Sequence, residues 1–333
     1  MWKILFYIVV LAAVAKASPQ SSDDLTLEDI TEVNFFNKIG MLVSKYKLEL
    51  NNLRGTISGK LLQISKLLNL YNPKCPPCSC GALGSDLKII DGKEVNYAHK
   101  YPWMASVLQN DEFHCGASLI NDKYVLTAGH CVETLKASDY KVRLSVHDRN
   151  TDISEEYNAK RIIRHERYTK YGGAPSHDIA LIRLDTDGVK INNDVHPVCM
   201  PEKGLSYANA VGTITGWGKT HRHYLDPTDV LREAQLYVLS NSECEPSFYG
   251  LITPNMVCAG LIDEGTTCNM DSGGPLTVVN GSVHHLIGIT SFGMSGCRPP
   301  PAVYTRVSEY LDWIKANTED ACPCRDNYAE KML

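Results

Sequence analysis

Cys268-Asn269-Met270-Asp271-Ser272-Gly273-Gly274-Pro275-Leu276 is the stretch on which the reading of this chain turns. Two glycines directly after a serine permit close backbone approach and unusual φ values around its hydroxyl. A serine hydroxyl is a weak nucleophile until an imidazole within hydrogen-bond reach takes its proton. That imidazole in turn needs a buried carboxylate to fix its tautomer and stabilise the imidazolium. Upstream, the chain supplies Thr127-Ala128-Gly129-His130-Cys131 and His177-Asp178-Ile179-Ala180-Leu181. Histidine suits the base because its ordinary pKa lies near neutrality. The Ala-Gly-His-Cys setting lifts His130 above the other histidines among the eleven present. An Asp followed by the apolar run Ile179-Ala180-Leu181-Ile182 is usually a surface or turn residue.

The three motifs, in the order His, Asp, Ser, resemble the trypsin/chymotrypsin family of serine proteases. The resemblance covers residues 89–320 and implies an all-β fold: two packed six-stranded antiparallel β-barrels, the active site in the cleft between them, and a C-terminal helix. It implies His130 as general base and acid, Asp178 as its orienter and Ser272 as nucleophile, with the backbone amides of Met270 and Ser272 as oxyanion hole. Ser291 matches the serine that hydrogen-bonds the Asp, and Ser291-Phe292-Gly293 the edge strand that binds substrate backbone. Thr266, Gly293 and Ala302 fall at the specificity pocket. Its neutral floor cannot compensate a buried Lys or Arg, so apolar side chains of moderate size are expected. Lys88-Ile89-Ile90-Asp91-Gly92 resembles the activation site, with the new Ile89 ammonium pairing with Asp271. The resemblance also implies the disulfides Cys115–Cys131, Cys244–Cys258 and Cys268–Cys297, and a bridge from Cys199 to the N-terminal extension, assigned to Cys80. Three positions depart from the family pattern: Met270 and Ala302 stand where the family has Gly, and Phe292 where it usually has Trp.

Independent patterns agree with an antiparallel sheet architecture. Lys141-Val142-Arg143-Leu144-Ser145-Val146, Gly212-Thr213-Ile214-Thr215-Gly216 and His285-Leu286-Ile287-Gly288-Ile289-Thr290 are short alternating runs separated by turn signals. Val307, Tyr310, Leu311 and Ile314 share one helical face near the end.

The chain has 333 residues, 44% of them hydrophobic, and a net charge of −5. No basic patch points to nucleic acid. Met1-Trp2-Lys3, the apolar run Ile4–Val14 and Ala15-Lys16-Ala17 read as a signal peptide over 1–17, too short an apolar run to span a bilayer. Twelve cysteines behind such a signal imply secretion and a disulfide framework. Cys75, Cys78, Cys322 and Cys324 are left over. They could pair across the two ends of the mature chain, or Cys75-x-x-Cys78 could serve a zinc site; secretion favours disulfides.

Residues 18–74 lack strand alternation. One heptad position holds Phe36, Val43, Leu50, Ile57, Ile64 and Tyr71; the other holds Ile39, Tyr46, Leu53, Lys60 and Leu67. Either a coiled coil through which residues 36–71 self-associate, or an amphipathic helix packed on its own domain, satisfies this stripe, although Gly40, Gly55 and Gly59 weaken both. The Pro- and Cys-rich stretch 75–88 reads as an exposed linker carrying the activation site, and 321–333 as a Cys-containing tail. Asn280-Gly281-Ser282 is the only glycosylation sequon. No metal or cofactor is expected: Val146 stands where the first acidic ligand of the family's calcium loop would be, despite Glu155 and Glu156, and His221-Arg222-His223 reads as an exposed loop. The partners implied are protein or peptide substrates and an upstream trypsin-like activating protease. The leading reading is a secreted endopeptidase zymogen. The rivals are a catalytically silent homologue acting as a binding module, for which Met270 leaves room, and an assembly protein governed by its heptads.

Overall fold

Tyr140-Lys141-Val142-Arg143-Leu144 shows how this sequence becomes sheet. Tyr140, Val142 and Leu144 are buried while Lys141 and Arg143 are half-buried, the two-residue period of a strand with one wetter face. The computed structural model describes residues 75, 78–84, 98–152, 154–171, 174–218, 228–261, 272–293 and 301–326. In chain order the strands are β1 (Met104–Gln109), β2 (Glu112–Leu119), β3 (Tyr124–Thr127), β4 (Tyr140–Leu144), β5 (Glu155–Arg164), β6 (Thr169–Tyr171), β7 (Ala174–Ser176) and β8 (Ala180–Leu184). There follow β9 (Val211–Gly216), β10 (Arg232–Leu239), β11 (Met256–Leu261), β12 (Pro275–Asn280), β13 (Val283–Phe292) and β14 (Ala302–Arg306).

Two closed barrels result, in the orders β1-β2-β3-β8-β5-β4 and β10-β11-β14-β13-β12-β9, with β6 and β7 forming a separate ribbon. Every pairing is antiparallel, as expected from the short alternating runs. Closure leaves neither barrel an open edge. Local turn chemistry sets the register: Asn110-Asp111 joins the paired residues Gln109 and Glu112 with φ of 53° and 68°, the double positive φ of a tight hairpin.

The first barrel's core, including Trp103, Leu126, Leu144 and Ile182, is continuous with Val307, Tyr310 and Ile314 from the C-terminal segment. That segment begins as a 3-10 turn over Val307–Tyr310 and becomes α-helical only over Leu311–Asn317. The apolar stripe is therefore real, but its first turn is tighter than the α-helix its spacing suggests. A one-turn helix over Asn241–Cys244 is closed by a reciprocal capping box between Ser240 and Glu243. The barrels are pinned together where Lys100, just before β1, pairs with Glu233 on β10 at 2.6 Å, with the Tyr101 hydroxyl on the same carboxylate.

The two ends of the described chain form a short ribbon. Ser79 bridges Arg325 in parallel, and Pro323 pairs with Asn121. Cys75 is bonded to Cys322, Cys78 to Cys324 and Cys80 to Cys199. The Cys75-x-x-Cys78 sulfurs are thus spent on the C-terminal tail, which removes the zinc alternative.

Candidate active site

Asp178 lies just ahead of β8 and is 1% exposed. Its carboxylate collects three donors. Oδ1 accepts the His130 backbone N–H at 2.8 Å, while Oδ2 accepts the His130 ring at Nδ1 (2.7 Å) and the Ser291 hydroxyl (2.6 Å). The Nδ1 proton is thereby committed to the carboxylate, which leaves Nε2 as the free acceptor of the neutral ring. His130 occupies a 3-10 turn over Gly129–Cys131, reached directly from β3 and held by the Cys115–Cys131 disulfide.

One support of Asp178 carried no local signal in the sequence. Thr305 on β14 donates to the Asp178 backbone carbonyl at 2.6 Å. Gly129 admits Asp178 so closely that a Cβ there would lie 3.2 Å from Oδ1 and 2.9 Å from the Tyr168 ring. Ser291 reaches the carboxylate from a break in register between Thr290 and Phe292 where β13 pairs with β14, a bulge that re-aims a side chain. Burial, and then the neighbouring His130, hold the His114 imidazole below its usual range, and burial followed by Asp178 raises the Tyr168 hydroxyl.

Ser272 opens the turn into β12 at the seam of the barrels. Its carbonyl accepts the Gly116 N–H of β2 at 2.9 Å, and Gly273 donates to the Thr290 carbonyl of β13 at 2.9 Å. Gly273 has φ of 81°, and a Cβ there would collide with Thr127 Oγ1 and the Gly116 carbonyl. Thr127 itself donates to that carbonyl at 2.8 Å. The absence of a side chain at 273 is therefore what lets the serine turn close against the strand leading to His130.

Phe292 is met edge-on by Phe248 at 5.9 Å. Gly293 faces Ala302, whose Cβ lies 4.0 Å from where a Gly293 Cβ would be. Asn280 ends β12 on the surface, its amide 3.4 Å from Glu202. Cys244 and Cys258 are bonded. Lys88, Ile89, Thr266, Met270, Asp271, the Cys268–Cys297 pair, His221 and His223 lie outside the described residues, as does the whole heptad region 36–71.

Among the described residues, the one group with metal-ligand proximity is Cys115, His130 and Cys131. Two of its members share a disulfide, so they offer no thiolate. Glu155 accepts the Tyr157 hydroxyl at 2.6 Å, and Glu156 is paired with Arg143 and Lys141.

A sequence model of the family described as Trypsin matches residues 89–314. The chain is 37% identical over 239 residues to serine protease 1 of Rattus norvegicus, covering 70% of this chain and 91% of the relative. It is 34% identical over 260 residues to the clotting factor G beta subunit of Tachypleus tridentatus, covering 72% and 82%. To the urokinase-type plasminogen activator of Gallus gallus it is 35% identical over 277 residues, or 74% of this chain and 63% of that one. The structure of mouse neuropsin, a serine protease, superposes with a TM-score of 0.60 at 35% identity, over 67% of this chain and 97% of the other. The Trypsin match spans the two barrels and the segments that carry His130, Asp178 and Ser272, and the chain belongs to the trypsin family of serine proteases.

Proposed function

We propose that the chain is a secreted serine endopeptidase zymogen. The observation that carries this reading is the His130–Asp178 pair, fixed at 2.7 Å, with the Ser272 turn stitched to β2 and β13, the strands whose Cys115 and Ser291 also hold that pair. His130 Nε2 takes the Ser272 proton as Oγ attacks the substrate carbonyl, and returns it to the leaving amine. Asp178 stabilises the imidazolium in between. The amides of Ser272 and Met270 bind the oxyanion. A second water-driven round releases the acyl group. Cleavage after Lys88 frees Ile89, whose ammonium pairs with Asp271 and orders the oxyanion loop; an unpaired buried ammonium would cost several kcal/mol.

The finer assignments belong to the same reading. Residues 1–17 form the signal, 18–74 a helical pro-region, 75–88 the linker, 89–320 the protease domain and 321–333 the tail. Thr266, Gly293 and Ala302 shape a pocket for Leu, Met, Phe or Tyr, so the enzyme does not cut at Lys88 and depends on a trypsin-like protease upstream. Five disulfides among the described residues support an oxidising destination. If the heptads of 36–71 are a self-association seam, deletion of 18–74 should lower the mass found by sedimentation; a monomeric full-length chain favours the alternative of a helix packed on its own domain.

Labelling with a fluorophosphonate before and after cleavage at Lys88 tests the central claim. Label on Ser272 after cleavage, lost in Ser272→Ala, is expected. No label in cleaved protein would favour the second reading, a silent homologue that binds without cutting, for which Met270 in the oxyanion loop is the specific motive.

A further inference from the structure

Behind Asp178 lie two imidazoles that the mechanism does not use. His177, the preceding residue, has φ of 49°. Its ring stacks on the buried His165 with centroids 5.0 Å apart and planes within 7°. Tyr310 and Trp313 close over His165, each ring at 5.2 Å. The hydrogen-bond directions are set from outside inward. The Thr253 hydroxyl sits on Asn255 Oδ1, so the amide nitrogen donates to the Tyr310 oxygen at 2.7 Å. Tyr310 then spends its own proton on His177 Nδ1 at 3.0 Å. His165 Nδ1 accepts the Arg167 backbone N–H at 3.2 Å. Each ring thus uses Nδ1 as an acceptor and carries its proton on Nε2. A second proton must enter at Nδ1, which breaks the existing bond and sets cations face to face.

The ring is coupled to the site through backbone. The His177 carbonyl accepts the Ile179 N–H at 2.9 Å, a tight turn with Asp178 at its centre, and Ile179 in turn accepts His165 N–H at 3.1 Å. Resting on the reading of Asp178 as the orienter of His130, we propose that His177, braced by Tyr310 and His165, is a positioning residue for the Asp178 carboxylate, and that proton uptake by the stack unfastens it in acid.

The charged and titratable groups facing the stack are Glu166 and Arg167 from the turn after β5, Asp178 ahead of β8, and Glu309 and Tyr310 from the C-terminal segment. Burial is the largest influence on both imidazoles and lowers both; Arg167 opposes their charging and Glu166, 3.8 Å from His165, favours it.

The test uses the full chain with nitrogen-15-labelled histidine, followed by NMR from about pH 8 to about 4.5, across the imidazole range. His165 and His177 should be neutral Nε2–H tautomers at neutral pH and titrate below exposed histidines in mutually dependent steps. The downfield His130 Nδ1–H resonance should vanish together with that titration. In cleaved protein, the acid limb of kcat should be steeper than one proton. His177→Gln keeps an acceptor for Tyr310 but binds no proton, and should restore a single-proton limb at whatever plateau it reaches. Tyr310→Phe should lower the kcat plateau ~10-fold with KM within about twofold, the pattern of an interaction felt in the transition state. Independent titration at ordinary imidazole values, or a wild-type limb of one proton that His177→Gln leaves unchanged, would overturn the proposal. If cleaved chain turns nothing over, the catalytic reading fails by itself. The spectra of the intact chain then still decide whether the stack holds the His130–Asp178 bond.

Discussion

Cys75 and Cys322 are joined by a disulfide across 247 residues of sequence. With Cys78–Cys324 beside it and Cys80–Cys199 beyond, three bonds hold the segment upstream of Lys88 to the rest of the chain. The expected tether through Cys199 is therefore joined by two further bonds across the chain ends. After cleavage at Lys88, a Cys80→Ala/Cys199→Ala variant should still run as one species on a non-reducing gel. Release should require replacing Cys75 and Cys78 as well. A light chain that leaves the double variant without reductant would contradict the ribbon at the chain ends.

Removing one donor from Asp178 should be costly because the carboxylate is buried. Ser291→Ala deletes the 2.6 Å hydroxyl bond to Oδ2. Bonds to charged groups are worth ~1.5–3 kcal/mol, so kcat should fall on the order of 10–100-fold. KM should change little, since the hydroxyl faces Asp178. Ser291→Thr keeps the hydroxyl and should recover part of the loss. Equal losses for both variants in steady-state assays would mean that packing, not the bond, is what Ser291 contributes.

Much of this architecture was legible because its signals are local. Alternation in Lys141–Leu144 and β9 and the Gly273-Gly274 pair each report geometry within a few residues. What sequence could not reveal depends on contacts distant along the chain. Thr305 reaches the Asp178 carbonyl from 127 residues away, and nothing around a threonine in a strand announces that. Pairing of Cys75, Cys78, Cys322 and Cys324 could not be chosen from spacing, since any connectivity satisfies the count. The tyrosine–histidine contact behind the site likewise needs a tertiary fold, with Tyr310 read only as one apolar position of a helical face.

Stability should fall in acid through His284. Burial, then Lys100 and the adjacent His285, lower its imidazole to about 4. The unfolded chain takes up this proton near pH 6.5, so between about 6.5 and about 4 it binds more protons than the folded one. Stability is full above the upper value, declines as pH falls through the window, and levels off below it. The full loss is about 3 kcal/mol. His284→Phe keeps a ring beside Trp103 and should flatten this part of the curve when thermal midpoints are taken across the window. An unchanged slope would place the acid sensitivity elsewhere.

Specificity should follow the charge of the pocket floor. Thr266→Asp in cleaved protein should shift preference from Leu, Met, Phe or Tyr toward Arg and Lys, because a carboxylate compensates the desolvated cation. Ala302→Gly, opposite Gly293, should broaden the apolar preference toward larger rings without creating a basic one. Efficient cleavage after Arg by active-site-titrated wild type would refute the neutral-floor assignment.

Met270 is expected to limit turnover. In the proposed oxyanion hole the donor at this position would be the backbone N–H, so the side chain itself removes none. The difficulty is conformational: the family uses Gly here, and a left-handed backbone costs a residue with a Cβ ~1–2 kcal/mol. If the peptide flips instead, the N–H points away, and loss of one such donor costs ~100–1000-fold in turnover. The bond between His130 and Asp178 would be untouched, so acylation should be slow rather than absent. Met270→Gly should therefore raise kcat on a small apolar substrate while leaving the order of preference among substrates unchanged. Because the donor matters only when charge develops on the carbonyl oxygen, KM should move little. Burst kinetics separate the two steps: the variant should show faster acylation, with deacylation accelerated to a similar degree because both pass through an oxyanion. A variant no faster than wild type, alongside wild-type turnover at ordinary family rates, would show that the methionine is accommodated with the amide already in place.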